Sequence, residues 1–254
     1  MTAPRPAKTS PNVVRQTRGG SSRRGFYVVL LLIAVVGAAA IAAVLQRSSA
    51  AAAAPVVVPP PTAAAGIRPV GYTLGNATAP VEIIEFADFE CPVCGQFATV
   101  SEPDVRKQLI NTGLARYRMY DLQVNTAHRN SPAASLAAAC ADEQGKFWPM
   151  HDRLFEGQND WNSEATSEPR PVFAGYAQQL GLDMTRWNQC FDAHRHLERL
   201  AANRAEAERV GFQGTPNFVI GNRLYANPLT FDQIKAAVDS ARTRAGATPP
   251  VAVR

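Results

Sequence analysis

The chain has 254 residues, 46% of them apolar and 19% charged, a composition that excludes wholesale disorder. Its net charge of +5 is unevenly placed: residues 1–24 hold six cations (Arg5, Lys8, Arg15, Arg18, Arg23, Arg24) and no acid, so the other 230 residues sum to −1. A basic nucleic-acid-binding face on the folded part is thereby excluded, and four cysteines are too few for a disulfide-dense scaffold.

Residues 1–24 read as a basic cytoplasmic tail, and the next element, residues 25–45, as a transmembrane signal-anchor helix. Phe26 to Leu45 is 20 residues without a charge. As a helix it spans ~30 Å, the thickness of a bilayer core. Positive charge stays cytoplasmic, so the expectation is a single-pass protein of the cell membrane with everything after Leu45 outside. A cleaved signal peptide is the alternative, with the alanines at 50–54 as cleavage options. Residues 46–66 are rich in Ala, Pro and Val, and Val56 to Pro61 favours polyproline II, a semi-rigid spacer. No internal repeat is visible. The folded domain is expected over 67–254.

Val81 to Phe86 is dense in β-branched residues and follows Ala79-Pro80, which predicts a strand. Cys91-Pro92-Val93-Cys94 follows, and the stretch with Gln96, Phe97 and Val100 reads as a helix with Pro92 in its first turn. Ala115, Tyr117 and Met119 alternate with Arg116, Arg118 and Tyr120, a second strand. From Ser131 to about Val210 the period becomes helical. Ala133, Leu136, Ala137 and Cys140 share one face, Trp187, Cys190 and Phe191 another, and a third helix is expected from about His194 to Glu208. Asn217 to Ile220 is strand-like, Gly221-Asn222 a hairpin turn, and Leu224-Tyr225 the return. Thr230 caps a last helix through Ala236 to Ala241. The order defines an α/β fold with a helical insertion at about 127–212.

The Cys-x-x-Cys lies between a predicted strand and a predicted helix, the context a redox site requires. A sulfur at a helix N-terminus meets unpaired N–H groups, which favour the thiolate. Cys91 is therefore expected to be exposed and attacking, and Cys94 buried and resolving. Zinc would need two further ligands, and no second pair exists. Cys140 and Cys190 fall on apolar faces. Outside the membrane an even count suggests a structural disulfide between them; buried free thiols and an electron relay are the alternatives. His194 and His196 with Cys190 make a poor metal set, because positions two apart diverge on a helix. His128 and His151 read as helix-surface or packing residues, and Phe147 and Trp148 as core.

Phe86 to Phe97, with Gln144-Gly145-Lys146-Phe147-Trp148, Met150-His151-Asp152 and Gly211 to Phe218, resembles the DsbA-like thiol–disulfide oxidoreductases of the thioredoxin superfamily. The resemblance covers about residues 68–245. It implies a thioredoxin fold with an inserted helical domain, here preceded by a single transmembrane helix. It implies that Cys91 and Cys94 are catalytic, without a cofactor or metal, and that Pro216, preceded by Thr215, is a cis-proline beside them whose backbone binds substrate. It also implies a buried acid beneath the disulfide at Glu85, a third catalytic residue, since a desolvated carboxyl near Cys94 can relay its proton during exchange; a partly solvated strand-end acid is the alternative there. Implied partners are reduced exported proteins and a membrane redox protein that reoxidises the pair. Val93 stands where strongly oxidising members carry His, so the role divides between oxidase and isomerase or reductase. A non-catalytic binding module is the rival from another class.

Overall fold

The computed structural model describes residues 23–50, 66–123 and 128–247. The basic residues up to 22, residues 51–65 of the proposed linker with its polyproline stretch, and the start of the predicted insertion at 127 lie outside the described residues. The chain divides into two units, residues 1–52 and 53–254.

The first unit is helix α1 (Arg23–Ala50). Its window Gly25–Ala42 has a mean hydropathy of 2.6 and is long and apolar enough to cross a membrane. No polar face interrupts it, as expected for a helix solvated by apolar surroundings on all sides.

The second unit is a five-stranded sheet in the order β1-β3-β2-β4-β5, with helices on its faces. Strands β1 (Tyr72–Leu74), β2 (Glu82–Ala87), β3 (Arg116–Asp121), β4 (Asn217–Ile220) and β5 (Arg223–Tyr225) follow the sequence pattern, except β1, which at three residues is too short to show an alternation. β2 and β3 are parallel and every other pair is antiparallel. A two-residue turn at Gly221-Asn222 joins β4 to β5, with Gly221 at φ +63°. Alternation along β2 sends Ile83, Glu85 and Ala87 to one face and Ile84 and Phe86 to the other. The first face meets the main core with Tyr117, Met119, Phe218 and Ile220. The second packs a smaller core of Phe86, Leu122, Ala207 and Phe212.

The helix after the Cys-x-x-Cys is one run over residues 92–110, but its winding changes. Helix α2 (Pro92–Gln96) and helix α3 (Glu102–Val105) are each followed by a five-residue π-type turn, Phe97–Ser101 and Arg106–Ile110. Pro103 has no N–H to continue an ordinary ladder, and the widened turn before it relieves that conflict.

Among the described residues, six helices separate β3 from β4: α4 (Ser131–Asp142), α5 (Phe147–Glu156), α6 (Gln158–Trp161), α7 (Arg170–Gln179), α8 (Met184–Asp192) and α9 (Leu197–Arg209). Helix α9 starts later than predicted, because His194 takes a positive φ of +50° and ends α8's trajectory. Alanines line α4, so α5 and α8 approach it closely. A disulfide joins Cys140 on α4 to Cys190 on α8, with Cα atoms 5.7 Å apart. His196 sits beside these sulfurs, yet its Nε2 lies 2.9 Å from Glu143 Oε1 and both sulfurs are committed to each other. Helix α10 (Phe231–Ala247) closes the domain and runs past the expected end at 241. Thr230 and Gln233 form a reciprocal capping box at its start.

Candidate active site

β2 ends at Ala87, and the chain turns through Asp88-Phe89-Glu90 into α2. Cys91 is the N-cap of α2, in extended conformation (φ −70°, ψ 121°), with Pro92 at the first helical position. Pro92 costs nothing there because that N–H would be unpaired anyway. The unpaired N–H groups of Cys94 and Val93 at this helix start favour the Cys91 thiolate.

Cys91 and Cys94 are both thiols and both buried. Cys91 is only 7% exposed, which corrects the expectation of an exposed nucleophile. The Thr215–Pro216 loop covers it: the Cys91 sulfur lies 3.6 Å from the Thr215 carbonyl oxygen, and the Thr215–Pro216 peptide is cis. Pro92 and Val93, the latter 41% exposed, are the motif's exposed side chains.

The two sulfurs are electrostatically unlike. A hydrogen bond from the Cys94 thiol, opposed by burial and helped by the Thr215 side-chain hydroxyl and the Cys94 and Val93 N–H groups, lowers the Cys91 pKa to about 6. Burial, and then the hydrogen bond to Cys91 and its charge, push Cys94 well above the ordinary thiol range.

Glu85 is fully buried on the central strand, so the solvated alternative falls away. Burial and the charge of Glu102 hold its carboxyl well above the usual carboxylate range, against the hydrogen bond from the Tyr117 hydroxyl. Its charge in turn acts on Cys94.

The turn itself is clamped by the helical insertion. Glu90 is buried and accepts hydrogen bonds from the Asn130 N–H (2.7 Å) and from Ser163. The Gln158 amide donates to the carbonyls of Phe89 (2.7 Å) and Cys91 (3.0 Å). Asp88 caps Glu90 with its Oδ1 (2.9 Å), while its Oδ2 lies 2.9 Å from His128 Nδ1. His128 is thus not a helix-surface residue. It sits in the segment before α4, half-buried, and its hydrogen bond to Asp88, against partial burial, raises its pKa, helped by the charges of Asp88, Cys91 and Glu90. No local pattern marked it, because its partner is 40 residues away in the chain. His151, by contrast, is fully buried among Phe89, Phe147, Trp148 and Phe155, so its packing role holds and a surface place does not.

A Cys-x-x-Cys capping the helix after a central strand, facing a cis-proline loop, with helices inserted before the last hairpin, defines a thioredoxin-fold protein of the kind that carries a helical insertion. The family model described as Thioredoxin matches residues 68–240, and the chain belongs to that family. The Na(+)/H(+) antiporter NhaA 3 of Salinispora tropica is 36% identical over 176 residues, covering 69% of this chain and 25% of that protein. The chain therefore spans about a quarter of the length of the first curated relatives it matches. The probable disulfide bond formation protein D of Bacillus anthracis is 24% identical over 167 residues, covering 66% of this chain and 76% of that protein. Among solved structures, oxidised BdbD of Bacillus subtilis superposes with a TM-score of 0.62 at 22% identity, over 69% of this chain and 96% of that one, and so shares the fold.

Proposed function

We propose that this chain is a membrane-tethered thiol–disulfide oxidoreductase that introduces disulfides into exported proteins. The observation that carries the reading is the opposed displacement of two neighbouring thiols, Cys91 to about 6 and Cys94 far upward, at one helix N-terminus. A low-pKa thiolate is a good leaving group, so the Cys91–Cys94 disulfide is a competent oxidant. A substrate thiolate attacks Cys91 Sγ, forming a mixed disulfide and breaking the Cys91–Cys94 bond. Cys94 leaves and takes a proton. A second substrate thiolate then attacks the substrate sulfur of the mixed disulfide, and Cys91 departs as a stabilised thiolate. The substrate is oxidised, the pair is reduced, and a membrane redox protein reoxidises it. Thr215, next to Pro216, offers its backbone beside Cys91 for the substrate strand. Cys140–Cys190 is the structural bridge of the insertion.

Residues 25–45 anchor the chain, residues 46–66 space the domain from the bilayer, and the domain faces away from the cytoplasm, in keeping with the basic residues ahead of α1. Exposed Val93 supports a second role as isomerase or reductase, since the motif itself adds no cation beside Cys91. The potential measured against glutathione separates the two.

Substitution at the pair tests the reading. Cys94→Ala should accumulate mixed disulfides with reduced, unfolded proteins, while Cys91→Ala should trap almost none. Both should abolish oxidative refolding of a reduced test protein. Refolding that survives Cys91→Ala would favour the binding module instead.

A further inference from the structure

Beneath the dithiol lies a buried polar cluster that the exchange steps leave unused. It contains Glu85, Tyr117, Glu102, Arg106 and His151, walled by the rings of Phe89, Trp148 and Phe155. Glu102 and His151 are both fully buried. Arg106 holds Glu102 Oε1 at 2.6 Å. Glu102 Oε2 and His151 Nε2 have no hydrogen-bond partner among the described residues, and they lie 3.7 Å from each other.

The other imidazole nitrogen explains why that pairing matters. His151 Nδ1 is 2.9 Å from Asp152 Oδ1 and 3.2 Å from the Arg106 guanidinium. A carboxylate only accepts and a guanidinium only donates, so Nδ1 serves one of the two: with Arg106 donating to it the ring proton sits on Nε2, and with Asp152 accepting from it Nε2 is bare. In that second tautomer the Nε2 lone pair faces the Glu102 carboxylate oxygen across 3.7 Å. Two lone pairs so placed repel, and each is desolvated without compensation. A proton between them removes both costs, whether it resides on the carboxyl or on the ring. The geometry therefore describes a seat for one exchangeable proton.

The seat lies between the Glu85–Tyr117 pair, which feels its charge, and the surface. On the inner side, Glu102 is the foremost charge acting on Glu85, and it acts on Tyr117, which hydrogen-bonds Glu85. On the outer side, His151 and Asp152 line a surface cleft of about 310 Å³ with Arg106, Pro103 and Thr99. Asp152 is paired with Arg106 and is itself 44% exposed.

We propose that Glu102 and His151 are proton-relay residues that connect Glu85, and through it Cys94, to solvent at the Asp152 cleft. The inference rests on the oxidoreductase reading above. When substrate attacks Cys91, the Cys94 sulfur leaves as a thiolate in a site that disfavours charge. The Glu85 carboxyl gives it a proton, forming the Cys94 S–H bond and leaving the Glu85 carboxylate. The Glu102–His151 seat returns a proton to Glu85 and is refilled from water in the cleft. Proton transfer is balanced, and the only electrons moved are those of the disulfide exchange. In the reverse direction, as the Cys91–Cys94 bond re-forms, the same groups carry the proton outward.

The test is single-turnover reduction of the oxidised full-length chain by excess small dithiol, followed by tryptophan fluorescence. Glu102→Gln is nearly isosteric, and His151→Ala opens the ring's space toward the cleft. Both variants should slow the reduction on the order of a hundredfold or more, the range a lost proton-transfer group gives. The slowed step should show a normal deuterium solvent isotope effect, and added imidazole should accelerate His151→Ala in proportion to its concentration. If His151→Ala does not fold, Glu102→Gln with its isotope effect decides alone. Wild-type rates in Glu102→Gln, or slowing without an isotope effect and without a response to imidazole, would overturn the relay and leave the pair a packing role. A wild-type chain that is not reduced at all would instead defeat the oxidoreductase reading.

Discussion

The domain holds two cysteine pairs, and their surroundings differ more than their chemistry. Cys140 and Cys190 join the facing sides of two helices, both fully buried, in a bridge 50 residues apart in sequence. Cys91 and Cys94 are a single turn apart, at a helix start, with one sulfur against a loop and the other behind it. At the first pair both sulfurs are fully buried and the neighbouring His196 is engaged with Glu143, so reduction would leave two desolvated sulfurs. At the second, the Cys94 thiol, the Thr215 hydroxyl and helix N–H groups stabilise one thiolate, so reduction yields a favourable charged product. One pair is held in the oxidised state by its environment, and the other is poised to leave it.

The largest expected effect that would break this contrast concerns the buried bridge. Closing a loop of 50 residues stabilises by about 4 kcal/mol in the chain-entropy model. Cys140→Ser should lower the melting temperature of the oxidised protein by about 10 °C, with exchange activity kept at low temperature. Equal melting curves, or lost exchange in a folded variant, would erase the division between the pairs.

A pH series sharpens it next. Alkylation of Cys91 in the reduced protein should rise through a midpoint of about 6, with Cys94 silent over the same range. The folded-state value lies below the ordinary thiol value of 9.0, so the thiolate's contribution is complete above about 9 and is lost as pH falls through about 6. Chemical denaturation of the reduced protein at pH values spanning that window should show stability rising with pH. A flat profile, with Cys91 titrating like a free cysteine, would count against the site.

The smallest effect tests the sequence-distant histidine. His128→Gln removes the cation that neutralises buried Asp88, next to Cys91. The Cys91 midpoint should rise by roughly half to one pH unit, worth about 1 kcal/mol. An unchanged midpoint would confine His128 to bracing the turn.

How far the sequence reaches follows from whether a signal is local. Strands β2, β3 and β4 were legible because their alternation is written in consecutive residues. The strand-to-helix place of Cys91 and the turn at Gly221-Asn222 were legible for the same reason. Strand β1 was not, since Tyr72 to Leu74 is ordered by pairing with Met119 to Tyr117 and not by its own pattern. The burial of Cys91 was missed because Thr215, 124 residues on, supplies the cover. His128 and Glu102 were missed because their meaning comes from Asp88 and His151, which the fold brings to them. A solitary buried acid or histidine has no periodic signature.

The winding of the run after Cys91 carries a consequence for alignment. Its buried positions step from Phe97 to Glu102, an interval of five where a regular helix repeats at three or four. On an unbroken α-helix, Cys94 and Glu102 would stand about 80° out of phase. The π-type turn between them uses more residues per revolution and brings the two azimuths back together. The helix thus behaves like a shaft with a phase adjuster: one end sets the sulfurs in the backbone's positive field, and the far end is rotated independently to aim an acid at the same buried axis. Removing a single residue from Phe97–Ser101 would leave every side chain chemically intact, yet it would dial Glu102 away from the core, so the length of that turn is as much a part of the site as the residues in it.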